Sequence, residues 1–105
     1  MKTEIVSFRR DDEPGIPALA VSGEIDLSVA QACTDALSKL VADADLLAIL
    51  DLTEVSFFGS TGVNVLLAGV ELAELRGVDL VVSPSGIVRH VLDLTDTAYR
   101  FAFPV

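Results

Sequence analysis

Ser60 and Thr61 carry the hydroxyls best placed for chemistry. They sit between two glycines in the stretch Val55-Ser56-Phe57-Phe58-Gly59-Ser60-Thr61-Gly62. An apolar run, Leu46 to Leu52, precedes this stretch, and an amphipathic segment, Val63 to Arg76, follows it. The pattern predicts a buried strand, a short turn and a helix with Ser60 as its N-cap, a position that serine favours. Unpaired amides at a helix start, together with the helix dipole, favour negative charge there, including a phosphate attached to a hydroxyl. A hydrolytic role finds less support. A serine nucleophile needs a base, and the only histidine is His90. A nucleophile elbow requires Gly two residues before the serine, where Phe58 stands, and a P-loop requires a Lys that is missing after these glycines.

Two aspartates are the other candidates. Asp26 and Asp51 are each expected to end a strand and to converge near Ser60. Paired carboxylates can do acid–base work, although strand-end aspartates more often cap a turn or helix. His90 reads as a helix residue near a C-terminus, where a cation is mildly favoured. Cys33 falls on an apolar helix face with no evident cation beside it, so it reads as a small core residue. One His, one Cys and dispersed carboxylates form no ligand cluster, and neither a metal nor a cofactor is expected.

The elements that position these residues follow from periodicity. Glu4 to Arg9 alternates and reads as a first strand, expected at an edge; Asp11 to Gly15 is a turn, and Ile16 to Ile25 a second strand with Pro17 near its start. Gly23-Glu24 marks a bend or bulge. Ser28 is the expected N-cap of the first helix, with Gln31 three residues on completing a capping box. Val29, Ala30, Cys33, Ala36, Leu37, Leu40 and Val41 then form its apolar face. Leu46 to Leu50 is apolar at successive positions, as in an interior strand covered on each side. In the second helix the core stripe runs through Val63, Leu66, Leu67, Val70 and Ala73, with Glu74 at its end, and leaves out Val65 and Leu72. Arg76-Gly77 ends it. Val78 to Val82 is a strand, Pro84 to Leu94 a short helix capped by Ser83 or Ser85, and Phe101 to Phe103 a last strand.

The sequence has 105 residues, room for a single domain over residues 1–105, and 51% of them are hydrophobic. Sixteen acidic against seven basic residues give a net charge of −9, which argues against nucleic acid and against an anionic membrane surface. With no signal-peptide core and no apolar run near the roughly 20 residues of a membrane helix, the expected location is cytoplasmic.

Val21 to Ser28, Leu50-Asp51-Leu52, and above all Val55 to Gly62 resemble the STAS domain, and Val88-Leu92-Leu94-Thr95 is similar to its third-helix segment. The resemblance spans about residues 4 to 103. It implies an α/β fold: one small mixed sheet of four to five strands, with three or four helices packed mainly on one face. The implied function is non-enzymatic, that of an anti-sigma factor antagonist. The unphosphorylated form binds an anti-sigma factor, often a serine kinase, and frees the sigma factor; phosphorylation reverses this and a serine phosphatase restores it. The family's phosphorylated serine falls on Ser60, with Thr61 as second choice. Asp26, Gly59, Ser60, Thr61, Gly62, Asn64 and Val65 form the expected partner surface, with Leu72 beyond them, and the chain is expected to be a monomer or weak dimer. Gly59 stands where the family motif typically has Asp. The sequence also ends at Val105 without the closing helix of many members, so either a different partner surface or a more open part of the core is expected. The alternative within the family is a binding module that is never phosphorylated.

Overall fold

A computed structural model describes residues 6–104, and Glu4 and Ile5 of the expected first strand lie outside them. The elements in order are strand Ser7–Arg10 (β1), strand Ala18–Ile25 (β2), a 3-10 turn Leu27–Val29, helix Ala30–Asp43 (α1), strand Leu47–Phe58 (β3), helix Ser60–Arg76 (α2), strand Asp79–Pro84 (β4), helix Gly86–Leu94 (α3) and a 3-10 turn Ala98–Arg100. The sheet order is β1-β2-β3-β4. β1 pairs antiparallel with β2, through the tight turn that Pro14 and Gly15 allow; Gly15 takes φ +80. β2 with β3 and β3 with β4 are parallel, as crossovers through α1 and α2 require. The expected last strand is reduced to one bridge, Val81 with Ala102, where the Val82 amide donates to the Ala102 carbonyl at 2.8 Å.

Sheet rows show where the core lies. Leu19, Leu50 and Val82 are aligned across three strands, as are Ala48 and Leu80, and all are buried. The alternate row, Ala18, Ile49 and Val81, is only half-buried. Helices thus cover one face, and the expectation that β3 is covered on both sides is corrected. Leu47 and Ile49 are apolar but lie on the open side. Against the covered face α1 buries Cys33, Leu37, Leu40 and Val41, and α3 buries Val88 and Leu92. Burial pushes the Cys33 thiol pKa up, and the Asp26 carboxylate adds to the rise, so this is a protonated core thiol.

The hairpin is tied to α1 by charge. Arg10 donates to Asp12 and to Asp43, each at 2.9 Å, and Lys39 reaches Asp43 from one helical turn away. Hydrogen bonds from Arg10 hold both carboxyls below their ordinary pKa near 3.8; the Ala18 amide helps at Asp12 and Lys39 at Asp43. A lowered carboxyl pKa contributes stability that is present above the unfolded value and lost as pH falls through the folded one. An Arg10→Met variant is therefore expected to melt below wild type at neutral pH, and the gap should close as pH falls below about 4. Melting curves followed by circular dichroism check this, and a gap constant down to strong acid contradicts it.

Candidate functional site

Two chain segments meet at the C-terminal ends of β2 and β3. Ile25 is paired with Phe58, so Asp26 and Leu27 leave β2 beside the point where Gly59 and Ser60 leave β3. A register shift at Gly23, which has φ +99, precedes this corner and is the bulge read at Gly23-Glu24. β3 does not stop at Leu52. It runs for 12 residues in all, to Phe58, because Val55 and Phe58 keep burying their side chains.

Asp51 is thereby corrected. It pairs mid-strand with Ala20 and Ser83, and its carboxylate accepts from the Thr53 amide at 2.9 Å and hydroxyl at 2.7 Å. Seven residues of strand separate it from Phe58, roughly 23 Å at the usual rise. No carboxylate pair with Asp26 forms. Asp26 does stand at the site, as a cap: its Oδ1 accepts from the Ser28 amide at 3.0 Å and from the Ser28 hydroxyl at 2.6 Å. The expected Ser28–Gln31 capping box is absent. Asp26 lies two residues earlier and takes the capping role for the 3-10 turn, which leaves Ser28 a donor and Gln31 bonded to Asp35 at 2.8 Å.

A second correction concerns Ser60. The N-cap of α2 is Gly59, with extended φ −114 and ψ −162, and its carbonyl accepts from the Val63 amide at 3.2 Å. Ser60 is the first helical residue. It is exposed, and its hydroxyl makes no hydrogen bond among the described residues. Its removal is thus nearly neutral for stability. Thr61 is half-buried, Asn64 exposed, and Gly62 buried against Phe58.

Val65 and Leu72 do not fall outside the core-facing side of α2. Both are half-buried and pack against the core, lining a gap with Thr34, Leu37, Ser38, Ala68 and Gly69. The reason is that α2 packs against α1 as well as the sheet, so its apolar arc is wider than one stripe. Val65→Lys is expected to cost about 1–3 kcal/mol of stability, since it places a charge in a packed helix–helix seam. Urea denaturation measures this; a loss below about 0.5 kcal/mol contradicts the packing.

Phe57 and Leu27 were not singled out by the sequence reading. Phe57 is 50% exposed and Leu27 79% exposed, both at this corner. A signal existed for the former: adjacent strand residues face opposite sides, so with Phe58 buried Phe57 had to point out. His90 is exposed on α3, which begins where β4 ends opposite Leu52, six strand residues short of Phe58. It cannot serve as a base for Ser60. Among the described residues no group of three or more His, Cys, Asp or Glu is placed to hold a metal ion. Two clefts of about 330 Å³ lie elsewhere, one along the start of β4 and one between β1 and α1; neither includes Ser60. Ser60 is exposed and lines neither cleft, a placement suited to a macromolecule more than to an enclosed small ligand.

The chain matches the STAS domain family over residues 8–103. It belongs to the STAS domain family. Two curated relatives, anti-sigma-F factor antagonist RsfB from two strains of Mycobacterium tuberculosis, are 40% identical over 60 residues. That alignment covers 57% of this chain and 49% of the relative, so this STAS chain matches about half the length of those relatives. A crystal structure of an anti-sigma factor antagonist from Mycobacterium paratuberculosis is similar at 31% identity and a TM-score of 0.79, over 94% of this chain and 85% of that one. The anti-sigma factor antagonist SpoIIAA is similar in its unphosphorylated form, with TM-score 0.74 and 19% identity over 94% of this chain and 89% of that one. Its phosphorylated form, a Bacillus cell fate determinant, gives 0.69 and 18% over 94% and 92%. The STAS fold expected from the sequence, four to five strands with three or four helices mainly on one face, is thus observed, with four strands and three α-helices. No described helix is long and apolar enough to cross a membrane.

Proposed function

We propose that this STAS chain is a cytoplasmic anti-sigma factor antagonist that changes partner through the phosphorylation state of Ser60. The observation that carries the reading is the Ser60 hydroxyl itself: exposed, without a hydrogen bond among the described residues, and first in a helix whose cap offers no side chain. A hydroxyl with no structural duty there is open to a kinase. Once phosphorylated, it brings two negative charges to the free amides and positive dipole end of α2, where they are favoured. The unphosphorylated face binds an anti-sigma factor of the serine-kinase type, so the sigma factor is released; a serine phosphatase resets the switch. Relatives named as anti-sigma factor antagonists support the class, and SpoIIAA, which exists in both phosphorylation states, supports the mechanism.

Gly59 favours keeping the constitutive binding module as the second reading, because it replaces the motif's typical Asp. The backbone at 59 is ordinary, and an added Cβ would meet only the Phe57 ring at 3.7 Å, so Asp would fit. Two unit charges about 4 Å apart in water repel by about 1 kcal/mol, hence a neutral residue 59 disfavours phosphate at Ser60 less than Asp would. Incubation of wild type, Ser60→Ala and Gly59→Asp with the cognate kinase and labelled ATP tests both readings. Wild type should reach at least the labelling extent of Gly59→Asp, and Ser60→Ala should stay unlabelled. Labelling of Gly59→Asp alone moves the chain to the constitutive module.

A further inference from the structure

We infer that the Phe57 ring, left bare by Gly59, is the apolar anchor by which the anti-sigma factor grips the Ser60 corner. The inference rests on the function proposed above and names the contact that phosphorylation would break. Gly59 is not required by the fold. Its φ of −114 is open to any residue, and a Cβ there would touch only Phe57 Cε2 and Cζ, at ordinary van der Waals distance. What its missing side chain achieves is to leave one edge of the Phe57 ring uncovered. That ring is 50% exposed, and Leu27, more exposed still, leaves β2 beside it through the Ile25–Phe58 pairing.

The occupant follows from position and charge. In a chain of net charge −9, the segment Ser56 to Asn64 carries no acidic or basic side chain, and the charges at this corner, Glu24 opposite Phe57 and Asp26, come from the neighbouring β2 edge. Uncharged, aromatic and protruding groups are the composition of an interface centre, where charge is depleted and aromatic side chains supply most of the affinity. A partner released by a phosphate on Ser60 has to cover Ser60, and a partner covering Ser60 meets Phe57 across Gly59. Other large exposed apolar residues, such as Leu75 at the far end of α2, lie away from this corner. The phosphate then acts locally: it sets a hydrated dianion beside a contact whose strength depends on losing water.

The test is titration calorimetry of the purified cognate anti-sigma factor against wild type, Phe57→Ala, Gly59→Asn and Leu75→Ala. Phe57→Ala should weaken binding by about thirtyfold or more, the loss typical of a central aromatic. Gly59→Asn adds no charge and provides a preferred N-cap, so it should melt at or above wild type; by covering the ring it should still bind about tenfold more weakly. Leu75→Ala should bind as wild type does. If folded Phe57→Ala and Gly59→Asn both bind within threefold of wild type, the anchor is overturned while the partner switch stands. If wild type itself does not bind the anti-sigma factor, the proposed function fails and the anchor with it.

Discussion

Ser60→Asp is expected to fold at least as well as wild type and to lose its anti-sigma factor. Capping cannot confound the result, because the N-cap is Gly59 and the Ser60 hydroxyl bonds to nothing among the described residues. An aspartate in the first turn instead meets the positive end of the α2 dipole, worth about 0.3–1 kcal/mol in favour of the folded state. In the interface the same charge is buried against uncharged Gly59, Phe57 and Leu27, with no basic side chain between Ser56 and Asn64 to pair with it on this side. Leaving a charge uncompensated in a covered contact costs several kcal/mol, so affinity should fall by about a hundredfold or more. Ser60→Ala should bind like wild type, with stability within about 0.5 kcal/mol. Melting curves and titration read the two effects separately. A Ser60→Asp variant that binds normally removes Ser60 from the switch.

A large effect on folding at this corner is expected from Gly62→Ala. A Cβ at Gly62 would lie 2.5 Å from Phe58 Cε1 and 2.6 Å from Cδ1, well inside contact. Phe58 is 3% exposed and belongs to the core cluster, and the cavity beside it holds only about 20 Å³, so moving its ring disturbs packed neighbours. Alanine gains up to about 1 kcal/mol of helix propensity over glycine, yet overpacking a filled core costs about 1–3 kcal/mol and sometimes more. The net should be a loss of about 1–2 kcal/mol, together with a shift of the α2 start that carries Ser60 out of register with Asp26. Chemical denaturation gives the first, and weakened binding by the folded fraction gives the second. A stabilised Gly62→Ala would show that the helix can back away from the strand.

Much of this architecture is written in local pattern. Period-two alternation in Ala18 to Ile25 and helical spacing of Cys33, Leu37 and Leu40 or of Val63, Leu66 and Val70 locate strands and helices, because burial on one side dictates that spacing. The Ser60 corner was legible for the same reason, as an apolar strand followed by glycines and hydroxyls. What local pattern could not settle was competition between neighbours. Asp26 and Ser28 are both capping types two residues apart, and the choice depended on a 3-10 turn, capped by the Asp26 carboxylate, that precedes α1. Gly59 and Ser60 posed the same ambiguity at α2. The placement of Asp51 turned on strand length, since Val55 and Phe58 extend β3 six residues past Leu52. Val65 and Leu72 needed the neighbouring helix to be known, because a second packing partner widens the buried arc.

The central claim is that one hydroxyl decides which partner this surface holds. The most direct measurement is titration of the cognate anti-sigma factor into two preparations of the same wild-type protein, one unphosphorylated and one phosphorylated by that kinase, with the modified residue located by fragmentation mass spectrometry. The account predicts phosphate on Ser60 alone, tight binding by the unphosphorylated preparation, and affinity about a hundredfold lower for the phosphorylated one. Equal affinity of the two preparations, or phosphate found on another residue, contradicts it.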